Sequence, residues 1–147
     1  MEHTKIVIIG AGSVVFTQGL VADMILAGGH WDVHLVDTNA ENLGVVQGVI
    51  ERMVAVRHAP VSVTATMERR ASLPQADVVV CTFGVGGRRA WEQDVFIPRT
   101  YGIYQPVGDS VMPGGLSRAL RHVPLAVAIA EDVIELCPDA VLINYAN

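Results

Sequence analysis

The sequence is poor in cysteine, aromatic residues and charge. Its 147 residues include two cysteines, 5% aromatic and 17% charged side chains. Cys81 and Cys137 lie far apart and no C-x-x-C is present, which excludes a disulfide framework and a zinc pattern. Cys81 falls in a valine-rich run and reads as a buried thiol. A basic excess is missing: ten Lys and Arg against fifteen Asp and Glu give a formal net charge of −5. Surfaces that bind nucleic acid or anionic membranes want the opposite balance, and Arg69–Arg70 and Arg88–Arg89 are short pairs rather than a patch. Long apolar runs are missing as well. The longest clean one, Val123–Ala130, is eight residues and contains Pro124, whereas a membrane span needs about 20. The apolar stretch at Ile6–Ile9 is too short for a signal peptide, so the cytoplasm is the expected compartment.

Apolar residues are plentiful. They make up 51% of the chain, mean hydropathy is +0.41, and this composition excludes intrinsic disorder. The length suits one domain, expected over residues 1–147, large enough to fold without a metal or disulfide staple. The low charge then implies a sheet buried on both faces, or a surface that expects a partner such as a second copy of the chain.

Strand and helix patterns alternate. Lys5–Ile9, Val33–Val36, Val61–Thr66, Asp77–Thr82 and Ala140–Tyr145 read as strands, the third nearer an edge. Helices are expected from Ser13 to Ala27, from a Thr38-Asn39-Ala40-Glu41 capping box to Arg57, and from Trp91 to Arg99, with a single turn over Arg70–Leu73. Gly102–Gly115 reads as a long irregular loop. Leu116, Leu120, Val123, Val127, Ala130 and Ile134 recur at helical spacing and mark a long amphipathic helix, which Pro124 should kink. This rhythm implies right-handed crossovers and an α/β fold: a Rossmann-like, doubly wound parallel sheet with helices on both faces and strand order 3-2-1-4-5.

Chemistry concentrates in few places. Gly10-Ala11-Gly12-Ser13-Val14-Val15 follows a strand and opens a helix, the context of a dinucleotide fingerprint, although Val15 replaces the third glycine. Gly10 permits the turn, Gly12 lets backbone approach a pyrophosphate, and the helix start offers free amides. The plain alternative is a turn with two convenient glycines. Asp37 ends the second strand where an acidic residue bonds the ribose hydroxyls of NAD and repels a 2′-phosphate; the plain alternative is a solvated strand-end Asp. Gly84, Gly86 and Gly87 border the cleft outside the strand ends, as an approach to a ligand or as a flexible turn. His30 and His34 straddle a helix stop and a strand start and make no helical metal pair. His122 lies on a polar helix face and reads as solvated.

Several longer motifs resemble the N-terminal half of glycoside hydrolase family 4. They are Ile8-Ile9-Gly10-Ala11-Gly12-Ser13, Val85-Gly86-Gly87, Asp94 with Ile97-Pro98, and Tyr101-Gly102. Further along come Pro113-Gly114-Gly115 with Ala119-Leu120-Arg121 and Pro124, Cys137-Pro138-Asp139-Ala140, and Asn144-Tyr145-Ala146-Asn147. The likeness spans essentially the whole chain, and the later stretches are more specific than the glycine turn.

The resemblance implies an NAD- and manganese-dependent glycosidase acting on a small-molecule glycoside. In that family NAD oxidises the sugar at C3, the acidified C2 proton is removed, the aglycone is eliminated, water adds and the ketone is reduced again, outside the two-carboxylate rule. By position, Gly10, Gly12, Ser13 and Asp37 would bind NAD, and Val85 and Gly86 would line its nicotinamide side. Asn147 would reach the substrate, and Asp109 would approach the sugar. Trp91 stands where relatives acting on 6-phosphorylated sugars carry an Arg, which favours an unphosphorylated α-galactoside or α-glucoside, although Arg88 and Arg89 could substitute. The family's metal-binding Cys and His and its tyrosine base fall after Asn147, so this chain is expected to be a cofactor half, inactive alone and homo-oligomeric in the whole enzyme. Other readings are a 2-hydroxy-acid dehydrogenase of related fold, which the Asn144–Asn147 and Pro113–Gly115 stretches do not fit, and a non-catalytic NAD-binding module.

Overall fold

The computed structural model describes residues 3–146. Their elements run β1 (His3–Ile9), α1 (Val14–Ala27), β2 (His30–Val36), α2 (Ala40–Arg57), β3 (Val61–Thr66), α3 (Arg69–Ser72), β4 (Val78–Cys81), α4 (Gly87–Arg99), α5 (Met112–Leu136) and β5 (Val141–Asn144). All five strands are parallel, in the expected order β3-β2-β1-β4-β5. The described residues form two compact units, 3–83 with 132–146 and 84–131.

In the first unit, β1 is central because it is apolar on both faces. Ile6 and Ile8 point into a core with Val33, Leu35 and Val80, capped by Val21 and Met24 of α1 and Leu43, Val46 and Ile50 of α2. Val7, Ile9, Val79 and Cys81 alternate to the other face and are buried too. Strand β2 begins three residues before the expected Val33, because His30, Trp31 and Asp32 pair in register with His3, Thr4 and Lys5. Pairing with a neighbour extends the strand into a polar stretch that periodicity alone leaves as loop. On α3, Arg69 and Arg70 both ion-pair with the buried Asp132 of α5. Burial works against the charge of Asp132, but the hydrogen bonds from the two arginines outweigh it and hold the carboxyl below the usual range.

The capping box is corrected by one residue. Asn39, not Thr38, caps α2, its side chain accepting the Asn42 N–H at 2.9 Å. The second unit brings a larger correction. Helix α4 starts at Gly87, four residues before Trp91, with Pro98 in its last turn. Helix α5 starts at Met112, so Pro113, Gly114 and Gly115 lie in its first turn rather than in the loop. A proline there loses no hydrogen bond, since first-turn amides have no helical acceptor. The stripe of α5 is real but uncovered: Leu116, Leu120, Val123, Val127 and Ile134 are exposed, whereas Ile129 and Val133 are buried. Spacing tells which side chains share a face, not whether anything covers that face. Among the described residues no helix is long and apolar enough to cross a membrane.

Candidate functional site

The turn after β1 is clamped from two strands. The Gly10 and Ala11 amides both donate to the Val36 carbonyl, at 2.8 and 3.0 Å. The Thr82 hydroxyl donates to the Gly10 carbonyl at 3.0 Å, and the buried Thr17 hydroxyl donates to the Ala11 carbonyl at 2.9 Å. Gly10 sits at φ +92°, and a Cβ there would lie 2.4 Å from the Phe83 backbone nitrogen. Only glycine satisfies both conditions.

Asp37 faces this turn. Its Oδ2 accepts the Gly12 N–H at 2.8 Å and its Oδ1 accepts the Asn39 N–H at 2.9 Å. A Cβ at Gly12 would fall 2.7 Å from that carboxylate. Ser13 caps α1 with extended backbone and no side-chain cap bond, so the first amides of α1 are left for another acceptor. Gly10, Gly12, Ser13 and Asp37 are thus brought together, as the sequence motif requires. A ring pair missed in the sequence lies in the same unit: Phe16 at the start of α1 and Tyr145 after β5, with centroids 5.1 Å apart. Nothing in the spacing of residues 16 and 145 signals that contact.

The other candidates belong to the second unit. Gly86, at φ +79°, is the N-cap of α4, and Val85 precedes it. Trp91 donates its indole N–H to the Val107 carbonyl at 2.8 Å, which ties α4 to the loop carrying the half-buried Asp109. That loop is built on Gln105, which is buried; its amide donates to the Asp94 carbonyl at 2.6 Å and its oxygen accepts the Gly114 N–H. Any Cβ at Gly108 or Gly114 would strike the Gln105 side chain, which accounts for the glycines around Asp109. Asn147 lies outside the described residues.

His122 corrects the sequence reading. It is half-buried, not solvated. Its Nδ1 lies 3.1 Å from the Arg118 carbonyl, and its Nε2 accepts the Val85 N–H at 3.3 Å. Burial is the main force holding its pKa below the ordinary value; Arg118 and Arg121 add to this, while the bond to the Arg118 carbonyl and the Asp94 charge oppose it.

Neither cysteine is set up as a nucleophile. Burial pushes the Cys81 thiol up to about 11, with Arg69 opposing, and burial likewise raises Cys137. Both thiols are expected to react with a disulfide-exchange reagent at pH 8 only as fast as the chain opens, and immediately in denaturant. The absorbance of the released thiol follows this. Among the described residues no group of three His, Cys, Asp or Glu side chains could hold a metal ion.

Comparison with known proteins decides the lineage. A family model described as "Family 4 glycosyl hydrolase" matches residues 5–147. The chain belongs to the family 4 glycosyl hydrolases. Similar proteins include an α-galactosidase of Rhizobium meliloti, 37% identical over the whole of this chain, and an α-glucosidase of Erwinia rhapontici, 38% identical over 98% of it. The chain spans about a third of each: 31% of the first and 32% of the second. A solved 6-phospho-β-glucosidase of Thermotoga maritima, determined with manganese, NAD+ and glucose-6-phosphate, superposes with a TM-score of 0.87 at 27% identity. The match covers 99% of this chain and 34% of that one.

Proposed function

We propose that this chain is the NAD-binding domain, over residues 1–147, of a family 4 glycosidase that cleaves a small-molecule glycoside by oxidation at C3, elimination and re-reduction. The observation that carries the reading is the contact between Gly12 and Asp37. An ionised carboxylate offers about four acceptor positions, and two are taken by the Gly12 and Asn39 amides. The remainder suit the paired hydroxyls of an adenosine ribose, and the charge disfavours a 2′-phosphate. Gly10, Gly12 and the open amides of α1 with Ser13 suit a pyrophosphate. When bound, NAD would supply reversible hydride exchange with the sugar.

Val85 and Gly86 are assigned to the nicotinamide side, and Asp109 and Asn147 to the sugar, by their positions in the family motifs. Trp91 stands in place of the arginine expected of relatives that act on 6-phosphorylated sugars, which supports an unphosphorylated α-galactoside or α-glucoside as substrate. The manganese ion of the family finds no fitting ligand set among the described residues, so they are not assigned to hold it. Homo-oligomeric assembly and a cytoplasmic setting complete the proposal.

Titration calorimetry tests the cofactor reading. NAD is expected to bind saturably, and NADP at least about tenfold more weakly. Asp37→Ala should weaken NAD by about 10- to 100-fold, the worth of lost hydrogen bonds to a charged acceptor, and should narrow the NAD to NADP gap. No saturable NAD binding at millimolar concentration would overturn the reading. The chain by itself, given NAD and Mn2+, is expected to release no nitrophenol from nitrophenyl α-glycosides; release would show that it is more than a cofactor domain.

A further inference from the structure

The turn from β4 into α4 runs through Val85 and Gly86 to Gly87, the first residue of α4, and carries its own backbone bonds, Gly87 N–H to Gly84 O and Ala90 N–H to Gly86 O, both at 3.2 Å. Gly86 cannot be exchanged for a larger residue, because a Cβ would meet the Ala90 side chain at 2.5 Å. One further bond ties the loop to α5, from the Val85 N–H to the His122 ring. Two of its backbone partners select one tautomer of that ring. The Arg118 carbonyl is an acceptor only, so Nδ1 carries the proton that it receives. The Val85 amide is a donor only, so Nε2 must present a lone pair.

We propose that His122 is a positioning residue for the Val85–Gly87 loop: its neutral, Nδ1-protonated imidazole holds the Val85 amide, and protonation at Nε2 releases it. A doubly protonated imidazole has two N–H donors and no acceptor, so Nε2–H would face Val85 N–H donor to donor. Charged groups acting on the ring include Arg118 and Arg121 on α5 and Asp94 on α4. The two arginines disfavour a third positive charge, and Asp94, already forked by Arg121, favours it. The net effect, with burial, keeps the ring neutral to lower pH than an ordinary imidazole. The loop is therefore held at neutral pH and let go under acid conditions. The link to cofactor affinity rests on the assignment of this loop to the nicotinamide side; the hydrogen bond itself does not.

Two measurements on the intact chain separate those parts. In 15N-resolved NMR, the His122 ring nitrogens should show the Nδ1–H tautomer at pH 8. The Val85 amide should shift with the same midpoint as the His122 ring, below about 6.5. An Nε2–H tautomer, or a Val85 amide that ignores the titration of His122, overturns the proposal whether or not NAD binds and whether or not any variant folds. In calorimetry at pH 8 and pH 5.5, NAD affinity of the unaltered chain should fall about three- to tenfold at the lower pH, the worth of one hydrogen bond. His122→Gln keeps a side-chain acceptor that does not titrate and should show equal affinity at both pH values. A fall of the same size in His122→Gln would remove His122 as its source. Co-titration of Val85 with His122 in a chain that binds no NAD would sustain the positioning role and count against the cofactor assignment alone.

Discussion

Gly10→Ala is expected to cost about 3–5 kcal/mol of stability, the sum of a left-handed backbone forced on alanine and an overpacked contact. The contact is with backbone. The new Cβ would lie 2.4 Å from Phe83 N, 2.6 Å from Phe83 Cα and 2.8 Å from Thr82 C, and no side-chain rotation relieves any of these. Either β1 shifts at its carboxyl end, breaking the Gly10 and Ala11 bonds to Val36 O, or β4 shifts, breaking the Thr82 bonds to the Ile9 and Gly10 carbonyls. Thermal unfolding should show a midpoint lower by roughly 10 °C or more. Gly19→Ala in α1 is the matched control. Nothing lies within 4 Å of its added Cβ, so it should raise stability by about 0.5–1 kcal/mol through helix propensity. Equal midpoints for the two variants would refute the account of the turn.

Asp94→Ala is the second large effect. Asp94 is 4% exposed and takes the Arg121 guanidinium as a fork, at 2.9 and 2.6 Å, while the same guanidinium reaches the Ser117 hydroxyl at 3.0 Å. Removing the carboxylate leaves Arg121 half-buried without its counter-charge, at a cost of about 3 kcal/mol. Removing both partners, as Asp94→Leu with Arg121→Met, should cost less than the sum, and the shortfall is the coupling between them. Acid separates this pair from a packing effect. Hydrogen bonds from Arg121 outweigh burial and hold the Asp94 carboxyl below the ordinary range. A lowered carboxyl contributes its stability above the unfolded pKa, near 3.9, and loses it as pH falls through the folded one. The gap between the native chain and Asp94→Ala should therefore close below about pH 4 in urea titrations. A gap that stays constant into acid would assign the loss to packing.

The sheet was readable because β1, β4 and β5 contain short apolar runs and β3 an alternating β-branched one, with glycine and proline between the elements, and the site's first half because Gly10, Gly12 and Asp37 stand at motif spacing. What escaped has a common physical origin. Asn39 rather than Thr38 caps α2 because the Asp37 carboxylate already accepts the Asn39 amide, a contact that depends on where β2 ends. The first turn of α5 hid behind Pro113, Gly114 and Gly115, residues poor in helix propensity, of which Gly114 packs on Gln105 and Gly115 on Ser110. The burial of His122 depends on a loop that precedes it by nearly forty residues, roughly ten helical turns of sequence. Each of these is a tertiary contact overriding a local preference.

The strand order has a kinetic side. Strands β1, β2 and β3 are successive in sequence and adjacent in the sheet, so each pairing closes a loop of roughly 30 residues. The β1–β4 and β4–β5 pairings, through Ile9 with Cys81 and Val78 with Val141, must close loops of roughly 60 to 70. The half of the sheet that carries Gly12 and Asp37 can therefore assemble from local contacts, while the Phe83 backbone that packs on Gly10 arrives with the slower, long-range closure.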